Sequence, residues 1–355
     1  MTVISDQDQG RSMEFDIEDF NALREYLVAQ GYLKLGETVS LKKLAGGVSN
    51  RTVKVAWEDG RGYVLKQALA KLRVNVDWFS SPERIGVEAK ALRCLNRLGP
   101  PGTTPAFLFE DVPNHLLGMA AVPEPHDNWK SVLLSGRIIP NHFEQFGLLL
   151  GAIHRESSAS GGELRDAFAD TTYFESLRLE PYYLYTAQGM AEASAFLRDL
   201  AREALYYKDS LVHGDFSPKN TLIYDGKLIL LDYEVVHFGD PAFDLGFALT
   251  HFLSKAHHLP GERNRLASAA ELFWQVYWGE ISRLEWAGEL EARVVRHTLG
   301  CLLARVAGKS PLEYLTQRES ARQRDVVLAL LVRPPASVPK LITEFILKIE
   351  AYAHN

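Results

Sequence analysis

One stretch restricts the possible folds of this chain more than any other: Leu211 to Phe247, LVHGDFSPKNTLIYDGKLILLDYEVVHFGDPAFDLGF. Thr221 to Tyr224 and Lys227 to Leu231 read as two strands. Between them sits Asp225-Gly226, a dipeptide suited to a two-residue hairpin because both turn positions require positive φ. So tight a hairpin returns the chain on itself, and Asp232 comes back to the neighbourhood of Asn220. Asp215 lies five residues before that asparagine. Two carboxylates and one amide gathered in this way suit phosphoryl transfer from a magnesium nucleotide. One carboxylate orients an acceptor hydroxyl and takes its proton. The amide oxygen and the other carboxylate hold the metal that neutralises the phosphates. The competing reading is a hairpin that carries surface acids by chance.

The rest of the chain is long enough to build two lobes around this stretch. Its 355 residues are 46% hydrophobic and 24% charged, ordinary for a globular protein with a core in each lobe. The net charge of −6 is spread along the chain, leaves no footprint for nucleic acid, and neither favours nor excludes a cationic substrate. Residues 1–12 are polar, without the apolar stretch of a signal peptide, and are expected to be loose. The longest apolar run, Val326 to Val332, is too short to cross a bilayer. No membrane partner is therefore expected, and the expected location is the cytoplasm. Cys94 and Cys301 lie far apart in helix-like stretches and read as small core residues rather than a disulfide or a nucleophile.

In chain order, Ile17, Phe20, Leu23 and Leu27 recur at helical spacing, and Gly31 is placed to end that helix. Three strands follow, Val39 to Ala45, Thr52 to Trp57 and Tyr63 to Gln67. The small residues of Gly46 to Asn50 make a turn that can bring backbone N–H groups near Ser49 and Asn50 against phosphates, or can be a turn and nothing more. Ser81-Pro82 reads as an N-cap and first helical residue, and Gly99-Pro100-Pro101 stops that helix. Phe107 to Glu110 and Leu116 to Val122 read as strands, and Pro123-Glu124-Pro125 as a stiff linker. Beyond the linker the pattern is helical: 141–157, 187–207, a start at Phe243, two or three helices over 265–306, and 338–352. Residues 158–170 read as a Gly/Ser-rich loop, and Thr172 to Tyr185 as an aromatic, charged segment for an acceptor pocket or a helix interface. His154 reads as helix-end packing. His251, His257 and His258 lack the spacing of a metal site. Gly308-Lys309-Ser310 is no P-loop, because Leu303 stands where the first glycine belongs and the preceding residues look helical.

His213-Gly214-Asp215 with Asn220, Asp232-Tyr233-Glu234, and Asp240-Pro241-Ala242-Phe243-Asp244-Leu245 together resemble the aminoglycoside phosphotransferase and choline kinase superfamily. The resemblance implies an α+β, protein-kinase-like bilobal fold, with a five-stranded antiparallel N-lobe and a mostly helical C-lobe. It divides the chain into a tail and helix (1–33), a nucleotide-binding N-lobe (34–122), and a catalytic and acceptor-binding C-lobe (123–355). ATP would lie between the lobes, with Lys66 on its phosphates, Ser49 and Asn50 above them, and the backbone of Ala120 to Val122 at the adenine edge, Met119 behind. Glu88 is preferred to Glu83 as the partner of Lys66, since it opens a Glu-x3-Leu-x2-Leu pattern like that of the family. Asn220 and Asp232 would bind Mg2+, Asp215 would orient and deprotonate a hydroxyl, and Asp244 would brace the catalytic loop or simply cap its helix. Lys219 would stabilise transferred charge or point to solvent. Val64 to Leu95, with Lys66-Gln67-Ala68-Leu69, also resembles methylthioribose kinases, although the residues after His-Gly-Asp differ from theirs and their arginine pair is not found. The implied acceptor is a small hydroxylated molecule: a sugar, an amino alcohol or an aminoglycoside. With no activation loop ending in Ala-Pro-Glu, a protein acceptor is not expected. The alternative is a nucleotide-binding scaffold without turnover.

Overall fold

Strand parity decides what the N-terminal sheet packs against, and with it the direction of Lys66. The computed structural model describes residues 15–45, 47–74, 77–160 and 162–352; the tail read as loose and Gly46 of the small-residue turn lie outside them. β1 (Ser40–Lys43), β2 (Asn50–Ala56), β3 (Gly62–Ala68), β4 (Phe107–Asp111) and β5 (Leu116–Ala120) form one antiparallel sheet in the order β1-β2-β3-β5-β4. On one face Val53, Val55, Leu65, Phe109 and Leu116 meet the helix Phe20–Ala29. On the other, Val64, Ala68, Leu117 and Met119 meet the helix Arg84–Leu98. Lys66 shares the parity of Val64 and Ala68, so it points away from the first helix and toward the second. That first helix is capped by the Asp19 carboxylate, which accepts from the amides of Asn21 and Ala22, and Gly31 follows its end at φ 77°. Burial of its Leu23 and Leu27 stabilises the contact by about 1.5–3 kcal/mol each.

The second helix begins at Arg84, later than Ser81-Pro82 suggests, and Glu83 at its N-cap makes no side-chain cap bond. The carbonyl of Ser81 accepts from the Arg84 amide at 3.3 Å and from its guanidinium at 3.0 Å, so the chain closes a tight turn there before the helix proper.

In the C-terminal lobe the helix Pro241–His258 is the axis, buried at every residue up to His257. The helices Arg263–Ile281, Ala287–Ala307, Gln317–Val332 and Val338–Ala351 pack around it, and Pro140–Ala159 lies along Arg263–Ile281. The stretch 158–170, read as a loop, contains a short helix, Gly162–Ala167; Leu164 packs on the core and Arg165 lies over the Phe238 ring, which together hold it. Glu175–Leu184 is a π-helix with Pro181 inside it. Among the described residues five short strands complete the lobe: β6 (Asp127–Asn128), β7 (Ser210–Val212), β8 (Thr221–Tyr224), β9 (Lys227–Leu230) and β10 (His237–Gly239). β7 pairs with β10, and β8 lies between β6 and β9. Both cysteines are free, and Cys301 is buried. No helix among the described residues is long and apolar enough to cross a membrane.

Candidate active site

The β8–β9 hairpin turns at Asp225 (φ 49°) and Gly226 (φ 70°), with Tyr224 opposite Lys227 and Thr221 opposite Leu230. One step past the ladder, the Leu231 amide donates to the Asn220 carbonyl at 2.8 Å. Asp232 then takes φ 70°, a left-handed conformation that costs a non-glycine residue about 1–3 kcal/mol. The turn aims its carboxylate across the cleft, where Oδ1 accepts from Lys66 Nζ at 2.9 Å. The same ammonium donates to Glu88 Oε1 at 2.7 Å, and Glu88 is 0% exposed. Burial disfavours the Lys66 charge, but Asp232 and Glu88 outweigh it and hold the lysine well above its ordinary range. Burial also raises Asp232, and the ammonium overcomes it, so that carboxylate lies well below the usual range. Glu88 goes the other way: burial pushes it up, Asp232 and Glu234 add to the rise, and Lys66 only partly offsets them.

The loop bearing Asp215 is held from behind. Gly214 sits at φ 76°, and a Cβ there would stand 2.8 Å from Val235 Cγ2, so only glycine fits. The buried carboxylate of Asp244 accepts the His213 amide at 2.7 Å and the Gly214 amide at 2.8 Å. Asp240, not Asp244, caps the helix, accepting from the Ala242 amide at 3.0 Å, so Asp244 is a brace. His213 receives the Asp215 amide on Nδ1 at 3.1 Å and donates from Nε2 to the Leu231 carbonyl at 3.1 Å, which ties loop to hairpin. His154 does more than pack a helix end: Nε2 lies 3.5 Å from Asp244 Oδ2, and Nδ1 bonds the Tyr277 hydroxyl at 2.9 Å. Burial raises Asp244, but His154 and, after it, His213 hold it below its ordinary value.

Asp215 itself carries two contacts on Oδ2: Asn220 Nδ2 at 2.7 Å and Arg178 Nη2 at 2.9 Å. Asn220 turns its nitrogen to Asp215, which leaves its oxygen for another ligand. Arg178 comes from the π-helix and is pinned by its donations to the carbonyls of Gly214 (2.7 Å) and Leu177 (2.8 Å). Its charge is favoured: burial opposes it, and Asp215 more than offsets that. The aromatic segment brings Arg178 to Asp215, while its Phe174, Leu179 and Tyr183 enter the core as the helix-interface reading expects.

Ser49 and Asn50 are buried where β2 begins. Asn50 Nδ2 donates to Glu234 Oε2 at 3.3 Å, and Arg84, 0% exposed, donates to the same oxygen from Nε at 3.0 Å and to the Ser49 carbonyl. Asp232 and Glu234 therefore each take a cation from the opposite lobe. At the lobe junction Ala120 faces Tyr63 across the sheet, the Ala121 amide donates to the Gly62 carbonyl at 2.9 Å, and Val122 and Met119 are buried. Lys219 is exposed, and its carbonyl is held by Asn128 Nδ2 at 2.8 Å.

No group of three or more His, Cys, Asp or Glu side chains among the described residues is arranged to hold a metal by itself, the histidines 251, 257 and 258 included. A hard cation that keeps several waters and shares its shell with phosphates asks for less: one or two protein oxygens. The Asn220 amide oxygen and the Asp232 carboxylate are donors of that kind.

The comparisons with known proteins agree with this geometry. A methylthioribose kinase of Klebsiella pneumoniae is 25% identical over 254 residues, which cover 64% of this chain and 63% of that enzyme, so the match spans less than two thirds of the relative. Among solved structures, an amicoumacin kinase in complex with AMP-PNP, Ca2+ and Ami superposes with a TM-score of 0.57 at 15% identity, over 92% of this chain and 97% of the other. A choline kinase from Cryptosporidium parvum gives 0.54 at 12% identity, over 95% and 100%. At such identities these two likenesses establish the protein-kinase-like fold. The model of the phosphotransferase enzyme family matches residues 40–277, well over half of the sequence, and the chain belongs to that family.

Proposed function

We propose that the chain is an ATP- and Mg2+-dependent O-phosphotransferase acting on a hydroxyl of a small metabolite, sugar-like or aminoglycoside-like. One observation carries this reading: Lys66 is shared between Glu88 and Asp232 across the cleft, beside an Asp215–Asn220 pair held by Asp244. The methylthioribose kinase likeness supports a small hydroxylated acceptor.

Bound Mg2+, held by Asn220 and Asp232, would offset the charge of the phosphates. Lys66, its head fixed by Glu88, contacts the phosphates, while Ser49 and Asn50 close over them and Ala120 to Val122 border the adenine. Arg178 and Asn220 both occupy Oδ2 of Asp215, so Oδ1 faces the acceptor hydroxyl. That hydroxyl gives its proton to Asp215 as its oxygen bonds the γ-phosphorus. The bond from phosphorus to the β,γ-bridging oxygen breaks, and ADP leaves. Positioning and charge neutralisation carry most of the acceleration.

The test is ATP consumption against a panel of sugars, amino alcohols and aminoglycosides, with Asp215→Ala as control. Turnover on an acceptor, reduced about 10²–10⁴-fold in the variant, is the expected result. ATP binding without transfer to any acceptor would make the chain a scaffold, and undiminished turnover in Asp215→Ala would remove the role given to that residue.

A further inference from the structure

Beyond Arg178, the C-terminal lobe holds a second set of cations that the transfer reaction leaves unexplained. Lys255 is 0% exposed, yet among the described residues its ammonium has only the His251 carbonyl at 3.3 Å and the face of the Tyr314 ring at 5.2 Å. Arg305, also buried, donates to the Tyr182 hydroxyl at 3.3 Å, to Ser310 Oγ at 2.9 Å and to the Ser310 carbonyl, while its Nε has no partner. Among the described residues neither cation has a carboxylate within ion-pair reach. His251 Nδ1 and the Tyr314 hydroxyl are likewise buried without partners. Burial lowers the His251 imidazole first, and the charges of Lys255, Arg305, Lys130 and Lys219 push it the same way. At its edge Glu313 pairs with Lys130 and has 62% of its side chain exposed, while Glu319 pairs with His258 beside Tyr314.

The cluster adjoins the reacting centre. Arg178, on Asp215, lies 6.0 Å from the centre of the Tyr182 ring, and Arg305 lies 5.5 Å from that same centre. Lys219 belongs to the catalytic loop. Buried cations without counter-charges are strongly unfavourable in a purely structural role, and such an array is poorly suited to a cationic acceptor.

We propose that this cluster is an acid-binding subsite of the acceptor site: the molecule that offers its hydroxyl to Asp215 also carries a carboxylate or phosphate, which binds between Lys255, Arg305 and Lys130 and takes the place of Glu313. The inference rests on the phosphotransferase reading for the hydroxyl, and on the cation cluster alone for the acid.

Four matched polyols test it: D-gluconate, D-glucitol 6-phosphate, D-glucitol and D-glucamine. Each is titrated calorimetrically into the intact chain saturated with ADP and Mg2+, so that the nucleotide site takes none of the anions. At least one anion is expected to bind about tenfold or more tighter than D-glucitol, and which one tells carboxylate from phosphate. Lys255→Met and Arg305→Gln, checked for retained ADP binding, should each abolish the preference while leaving D-glucitol unchanged. Should either fail to fold, the more exposed Lys130→Met should weaken the anion several-fold. D-glucamine binding as tightly as the anions, no anion preference, or a preference that survives the substitutions would overturn the inference. Anion binding without transfer in a parallel ATP assay would instead defeat the phosphotransferase reading alone.

Discussion

Glu234→Gln tests how the two lobes are joined. The Arg84 guanidinium is fully buried and makes four contacts: Glu234 Oε2 at 3.0 Å, the carbonyls of Ser81 (3.0 Å) and Ser80 (3.2 Å), and that of Ser49. Three of these acceptors are neutral, and Glu234 is the carboxylate in contact among the described residues. Glutamine keeps the volume and can still turn an oxygen to Nε, but it leaves the guanidinium without a counter-charge. Removing one member of a buried pair costs about 3–5 kcal/mol. The surviving carbonyl contacts place the loss at the lower end, about 3 kcal/mol, or roughly 6–12 °C in Tm for a lobe of this size. Asn50 also loses a charged acceptor, so the turn of Ser49 and Asn50 loosens and, if that turn covers the phosphates as proposed, the KM for ATP rises, by about tenfold at most. The assay is thermal and urea unfolding of Glu234→Gln, Arg84→Met and the double variant, with ATP kinetics on each. The double variant leaves neither charge buried and should lose less than the sum of the singles by about 2 kcal/mol. A Glu234→Gln chain within about 0.5 kcal/mol of wild type, or strictly additive losses, would refute the clamp.

Asp244→Asn should destabilise by about 2–3 kcal/mol, because an amide nitrogen must then face the His213 or Gly214 N–H, and kcat should fall about 10–100-fold with little change in the KM for ATP; kinetics beside thermal unfolding checks it. Gly214→Ala meets both the φ of 76° and Val235, and should lower stability by about 1–3 kcal/mol and depress turnover in the same two assays. Lys255→Met should change how stability depends on pH. Burial, reinforced by Lys130, brings this lysine from 10.5 down to about 7 in the folded chain. Between those values the unfolded chain binds the extra proton, so wild-type stability rises with pH across the window and the full penalty falls below pH 7. The variant should be more stable by about 4–5 kcal/mol near neutrality, with the gap closing as pH approaches the upper value; a difference that stays flat in urea unfolding at several pH values would contradict this.

The parts of the site legible in the sequence are those whose information is local. Asp225-Gly226 demands a two-residue turn, and that turn alone returns Asp232 to Asn220. The parity of Val64, Lys66 and Ala68 turns the lysine to the helix that bears Glu88. Arg178 was visible only as one charge in an aromatic stretch, because it reaches Asp215 from a π-helix, where i→i+5 closure shifts each side chain off the 3.6-residue pattern that sequence periodicity assumes. The function of His154 depends on Asp244, 90 positions away, and no spacing rule joins them. The early start expected at Ser81 has the same origin: Arg84 draws in the Ser80 and Ser81 carbonyls because Glu234, 150 positions on, holds its charge.

Asp232 and Glu234 are two residues apart in a segment that follows the hairpin, and each meets a cation of the N-terminal lobe: Lys66 from β3 and Arg84 from the second helix. This accounts for the left-handed Asp232. A residue in that conformation persists only where its surroundings over-determine it, and here the Lys66 ion pair, the Tyr233 amide on Glu88 at 3.4 Å and the Glu234 clamp act on three consecutive residues. Two buried or half-buried charge-assisted contacts are together enough to offset about 1–3 kcal/mol of backbone strain. Moving the lobes apart would break both cation contacts at once and release Asp232 to relax. Closure of the lobes and assembly of the Asp232 side of the site are for this reason one event, and a substitution that loosens the clamp at Arg84 reaches the Asp232 carboxylate without touching it.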